Sequence, residues 1–125
     1  MTEKEFWHFL ERAWKKGRVS QVSGIIDSPD AEMQTAGEYI GGHALLPKDY
    51  DKITEEEIVR ISKLLFKKGV RHKTKEAVLM ILAHRGSKEA LIALKNYSKL
   101  SDKGLEIFAE LALTECEMWN EKERD

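Results

Sequence analysis

Four histidines, one cysteine and a dense run of lysines are the residues through which this 125-residue chain could do chemistry. Glu5 and His8 stand three apart, which puts a carboxylate and an imidazole on one helical face, as carboxylate-bridged metal bundles require. Such a centre needs a second Glu-x-x-His pair and two further carboxylates, and no second pair occurs. His43, His72 and His84 are scattered, and one cysteine cannot supply a standard structural zinc site. The sequence therefore predicts no metal and no other cofactor. Cys116 lies between Glu115 and Glu117, whose charges disfavour a thiolate, and on an apolar helical stripe, so a buried core thiol is expected. His84, just before Arg85-Gly86, reads as a cation at the negative end of a helix dipole. There is no nucleophile elbow, phosphate-cradling glycine loop or dinucleotide fingerprint, so no catalytic residue is expected.

The polar feature that stands out is the stretch 67–75, where Lys67, Lys68, Arg71, Lys73 and Lys75 crowd a turn between two helices. Lys15, Lys16 and Arg18 occupy a similar turn earlier in the chain. If the two halves stack, these turns form one basic ridge opposite acidic caps such as Glu55-Glu56-Glu57. Helix N-terminal amides near Thr74 would add to its pull on phosphate or an acidic partner. A solvated edge that merely complements helix dipoles is the plainer reading of the same lysines. A second candidate contact lies in the irregular stretch 41–53, through Leu45, Leu46 and Tyr50. These side chains either cover the core between the halves or form a docking patch. The first helix, with Phe6, Trp7, Phe9, Leu10 and Trp14, offers an end face for pairing with another copy or a partner.

The elements that must position these residues are legible from their punctuation. Thr2 with Glu5 and Thr54 with Glu57 have capping-box spacing, and Ser28-Pro29 places a cap residue before a proline at the first helical position. Thr74, Ser87 and Ser101 are further N-cap candidates. Gly17, Gly69 and Gly86 are the matching stops, each preceded by a cation. Main helices are expected over 3–16, 29–40, 55–68, 75–85, 88–99 and 102–121, with a weaker one inside 18–26, and no strand. Ile58, Ile61, Leu64 and Leu65 form one apolar stripe; Leu105, Phe108, Ala109, Ala112, Cys116 and Trp119 form another. The segment from Thr2 to Gly17 aligns with Thr54 to Gly69 at an offset of 52, cap for cap, through Lys-Lys-Gly. The expected organisation is one domain over 1–125, built from related halves 1–53 and 54–100 and a closing helix over 101–121.

Bulk composition agrees. Apolar residues at 42% and charged residues at 34% suit a folded, charge-coated chain, and a net charge of −1 gives no global field toward nucleic acid or anionic lipid. No apolar run approaches the roughly 20 residues needed to span a bilayer, the first residues lack a secretion signal, and a lone cysteine fits a reducing compartment. A cytoplasmic location without membrane contact is the expectation.

The small-and-large apolar register over 74–119 resembles HEAT-type repeats, particularly the short form named for phycobilisome-lyase proteins. Glu76 to Gly86, Ser87 to Leu94 and Leu105 to Leu113 carry the likeness. The turn here is Ser87-Lys88, and no arginine occurs in 87–113, where the family often has an Asp-Pro-like turn and an arginine. The resemblance implies an all-α HEAT-like superhelix, a short α-solenoid of about six or seven helices. Related di-iron hydroxylases resemble one another in His-Glu dipeptides, and no histidine here precedes a glutamate. The resemblance implies a protein–protein interaction or scaffold module with a protein partner. The first alternative is a nucleic-acid or phosphate-binding module using the turn 67–75. The second is an enzyme, or enzyme accessory, of phycobilisome-lyase-like type.

Overall fold

The computed structural model describes residues 1–17, 39, 43 and 46–124. Among these the chain is all-helical: α1 (Glu3–Trp14), α2 (Glu55–Ser62), α3 (His72–Arg85), α4 (Lys88–Leu100) and α5 (Glu106–Arg124). A 3-10 turn, Tyr50–Lys52, precedes α2, and a second, Lys63–Phe66, extends it. The expected helix over 18–26 lies outside the described residues, as does that over 29–40 apart from Tyr39.

Caps made from neighbouring residues form as the sequence implies. Thr2 and Thr54 each accept a hydrogen bond from the N–H three residues on, while Glu5 and Glu57 return the bond, completing both capping boxes. Ser87 accepts from the Ala90 N–H to start α4. Gly17, Gly69 and Gly86 all take positive φ, and so does Gly104.

Two cap expectations are corrected. Thr74 does not start α3; that helix begins at His72, and Thr74 is a buried residue of its first turn. The missing cap comes from another helix. The Glu3 carboxylate of α1 accepts from the Arg71 N–H at 3.3 Å and from Arg71 Nε at 3.0 Å. The Thr74 hydroxyl also donates to Glu3 and accepts from the Trp7 indole N–H at 2.9 Å. A carboxylate at a helix N-terminus satisfies orphan N–H groups and the dipole together. Ser101 ends α4 instead of starting α5. The next residue, Asp102, is held back by Lys75 Nζ at 2.6 Å and the Tyr97 hydroxyl at 2.5 Å.

Helix α3 is the centre of the described helices. Residues 77–83 are all buried, so this helix has no solvent face over two turns. It packs most extensively against α5, and α5 in turn against α4. Phe108, Ala109, Ala112 and Cys116 present the buried stripe of α5, with Cys116 fully enclosed. Ile58, Ile61, Leu64 and Leu65 do the same for α2, and Phe6 and Leu10 for α1.

Two predictions follow from the junctions of α3. At its C-terminal end, a Cβ on Gly86 would stand 2.6 Å from Trp119 Cβ, and the residue has φ of +63°. Gly86→Ala therefore combines left-handed strain with a backbone-level clash against α5, and should cost about 1–3 kcal/mol in denaturant unfolding. At its N-terminal end, two carboxyls are held below their ordinary values. Hydrogen bonds from Thr74 and then Arg71 lower Glu3 from 4.5, and those from Lys75 and then Tyr97 lower Asp102 from 3.8. A depressed carboxyl stabilises the fold above its unfolded pKa, and that contribution disappears as pH falls through the folded value. Thermal melts should thus lose stability below about pH 4.5, less steeply in a Glu3→Gln, Asp102→Asn double variant.

Candidate functional site

The basic turn borders a groove of about 370 Å³ between the end of α2, the start of α3 and the end of α4. Phe66, Lys67, Lys68, His72, Tyr97 and Leu100 are among the residues that line it. Phe66 is 48% exposed and Leu100 72%, so both leave apolar surface in water. The two chain segments flanking the groove are one-sided in charge. Residues 63–75 hold six Lys or Arg and no acid, and 95–104 hold three Lys and the single acid Asp102.

The sequence-expected basic residues divide in two. Lys67, Lys68 and Lys73 are exposed, and Lys67 also donates to the Met1 carbonyl at 2.8 Å. Arg71 is exposed but tied to Glu3. Lys75 is a correction: its side chain is only 5% exposed and is consumed by the ion pair with Asp102. The single ridge is also corrected. The turn at 67–71 meets the N-terminus of α1, through Glu3 and Met1, whereas Lys15 and Lys16 follow its C-terminus, about 18 Å away along the helix. Arg18 lies outside the described residues.

Of the three candidates in the irregular stretch, Leu46 and Tyr50 are described. Leu46 is 1% exposed and therefore not an accessible docking residue. Tyr50 is half-buried, with its ring edge-on to His84 at 5.9 Å. Leu45 lies outside the described residues. On the first helix, Phe6 and Leu10 are buried within the chain itself, and Trp7, Phe9 and Trp14 are partly buried against the core.

A different cluster is absent from the sequence reading. His43, His84 from the last turn of α3, and Glu115 from α5 bring one ligand atom each to within 4.8 Å of one another. Glu115 Oε1 is 2.7 Å from His84 Nε2 and 3.4 Å from His43 Nε2. The Tyr39 hydroxyl donates to the other carboxylate oxygen, Oε2. Behind the rings, His43 Nδ1 is 3.0 Å from the Tyr39 carbonyl and His84 Nδ1 is 3.0 Å from the Met80 carbonyl. The two imidazoles meet edge to face, their centroids 4.4 Å apart. Burial alone would push the Glu115 carboxyl up. The His43 and His84 imidazoles and the Tyr39 hydroxyl around it outweigh that and hold it far below the ordinary carboxylate range. Tyr39 moves the opposite way, its hydroxyl held protonated by burial first and by the Glu115 carboxylate second.

These three ligands are 41 and 31 residues apart, so no short motif could announce them. Their signal is subtler. Glu115 falls three residues after Ala112 and seven after Phe108, on the apolar arc of α5, and His84 follows Met80 and Ile81 on a helix buried all round. A titratable residue on a buried stripe needs a partner, and here the partners are one another.

No protein-family model, curated protein or solved structure matches the chain.

Proposed function

We propose that this chain is a small HEAT-like interaction module that docks an acidic partner segment with an apolar anchor in the groove beside residues 66–72. The observation that carries this reading is the pairing of half-exposed Phe66 and exposed Leu100 with a rim almost free of acids. A chain of net charge −1 has no general attraction for polyanions, so a local basic rim selects by position. Exposed apolar side chains inside such a rim supply what charge alone does not, namely burial that is insensitive to salt. The succession α3, α4, α5, each packed on the next, supports the repeat-type reading. Among the described residues no helix is long and apolar enough to cross a membrane.

Fluorescence anisotropy against two labelled probes tests the proposal. One is an acidic peptide with a central Leu-Trp pair; the other is single-stranded DNA of similar charge. The peptide should bind and weaken by roughly tenfold in both Leu100→Asp and the Lys67→Glu, Lys68→Glu variant. DNA binding with a steep salt slope that ignores Leu100→Asp would replace this reading with nucleic-acid recognition. Binding of neither probe would sink both.

A further inference from the structure

We propose that His43 Nε2, His84 Nε2 and a carboxylate oxygen of Glu115 form a binding site for one divalent transition-metal ion of the zinc type. The tautomers carry the first step. A backbone carbonyl can only accept, so each Nδ1, set 3.0 Å from a carbonyl, must carry the proton. In the neutral ring the lone pair is then on Nε2. Both Nε2 atoms converge on the same oxygen, Glu115 Oε1.

Three electron-rich atoms directed at one another repel unless positive charge lies between them. One divalent cation accepts all three lone pairs at once, between rings whose centroids are 4.4 Å apart. The cation resolves the ring–ring repulsion as well as the ring–carboxylate one.

The outer contacts fit the same assignment. Metal-bound imidazoles are usually oriented by a hydrogen bond from the far nitrogen, and metal-bound carboxylates by a donor to the free oxygen. All three are present: the Tyr39 carbonyl for His43, the Met80 carbonyl for His84, and the Tyr39 hydroxyl for Glu115. Ligand atoms around tetrahedral zinc stand about 3.3–3.4 Å apart for bonds of about 2.0–2.1 Å. The His43–Glu115 separation of 3.4 Å already has that span. The 2.7 Å between His84 and Glu115 must open by about 0.6 Å, a rotation within reach of a glutamate side chain. Two nitrogens and one oxygen suit zinc, cobalt, nickel or iron(II), and suit magnesium or calcium poorly. The side chains are 20%, 9% and 23% exposed for His43, His84 and Glu115, which would shield a bound ion from bulk water.

The site would act as a clasp. It joins the segment bearing Tyr39 and His43 to the end of α3 and the middle of α5, so metal binding would be coupled to the stability of that junction. This consequence is independent of the groove at the other end of α3.

The test uses the intact chain after chelation and dialysis, titrated at pH 7 with zinc by calorimetry and with cobalt(II) by visible absorption. One equivalent should bind, raise the melting temperature and give the d–d bands of a nitrogen–oxygen site. Imidazole proton–nitrogen spectra of the unaltered chain should show His43 and His84 Nε2 shifting on zinc addition, with His8 and His72 unmoved. His43→Ala and Glu115→Gln should weaken zinc by about 10- to 100-fold or more, whereas His8→Ala should not. Should a variant fail to fold, the spectra of the unaltered chain decide alone. Absence of zinc binding, or shifts at His8 and His72 instead, would overturn the assignment in favour of a proton-bridged network.

Discussion

Helix α3 can be buried on every side only because residues 77–83 carry no side chain that needs water. The other described helices then have little choice: each turns its apolar stripe toward α3 or toward a neighbour that touches it. An all-apolar middle fixes that α3 is central but not how it is rotated or which helix lies where, since hydrophobic burial has no direction. Orientation comes from the two ends. Thr74 engages Glu3 and Trp7 of α1, and Lys75 engages Asp102 between α4 and α5. At the far end His84 engages Glu115 of α5, and Arg85 donates to the Ile53 carbonyl at 2.9 Å and pairs with Glu55 at the start of α2. Each polar side chain thus picks a different neighbour.

These locks have strict rules because they are shielded. A buried donor without an acceptor costs about 1–3 kcal/mol, so a helix rotated out of place would lose its partner and gain nothing. No fully enclosed side-chain nitrogen or oxygen among the described residues lacks a hydrogen-bond partner. Lys75 shows how far this goes. Its location in a basic run suggests a surface cation, yet its ammonium is withdrawn into a pair with Asp102 that also holds the Tyr97 hydroxyl. Loss of Asp102 alone would leave a buried charge, the costly way to break such a pair.

What the sequence made legible follows from the range of the forces involved. Capping boxes at Thr2 and Thr54, the Ser87 cap and the Gly86 stop depend on residues three or four apart, and they form where the sequence places them. Thr74 and Ser101 depart from that pattern for a shared reason: their roles are set by residues far along the chain. Glu3 caps α3 from another helix, and the Lys75–Asp102 pair delays the start of α5 to Glu106. The candidate sites divide along the same line. The basic turn is contiguous and visible, although Lys75 is withdrawn from it by its pair with Asp102. The His43, His84 and Glu115 cluster exists only after α3 and α5 pack, and its sequence trace is no more than a charge on an apolar arc.

The groove and the histidine cluster stand at opposite ends of α3, and the distance between them matters for how they can act. His72 and His84 are twelve residues apart, about 18 Å along the helix axis. Communication between two such sites requires an element with two arrangements that each ligand prefers differently. A second arrangement of α3 would have to slide a close-packed apolar stretch and break the contacts of Thr74, Lys75, His84 and Arg85 together. A ligand with the few kcal/mol of differential affinity typical of allosteric effectors could not drive that change. The physical consequence is a spine with two separable ends: one bordered by the basic rim with Phe66 and Leu100, the other by His43, His84 and Glu115.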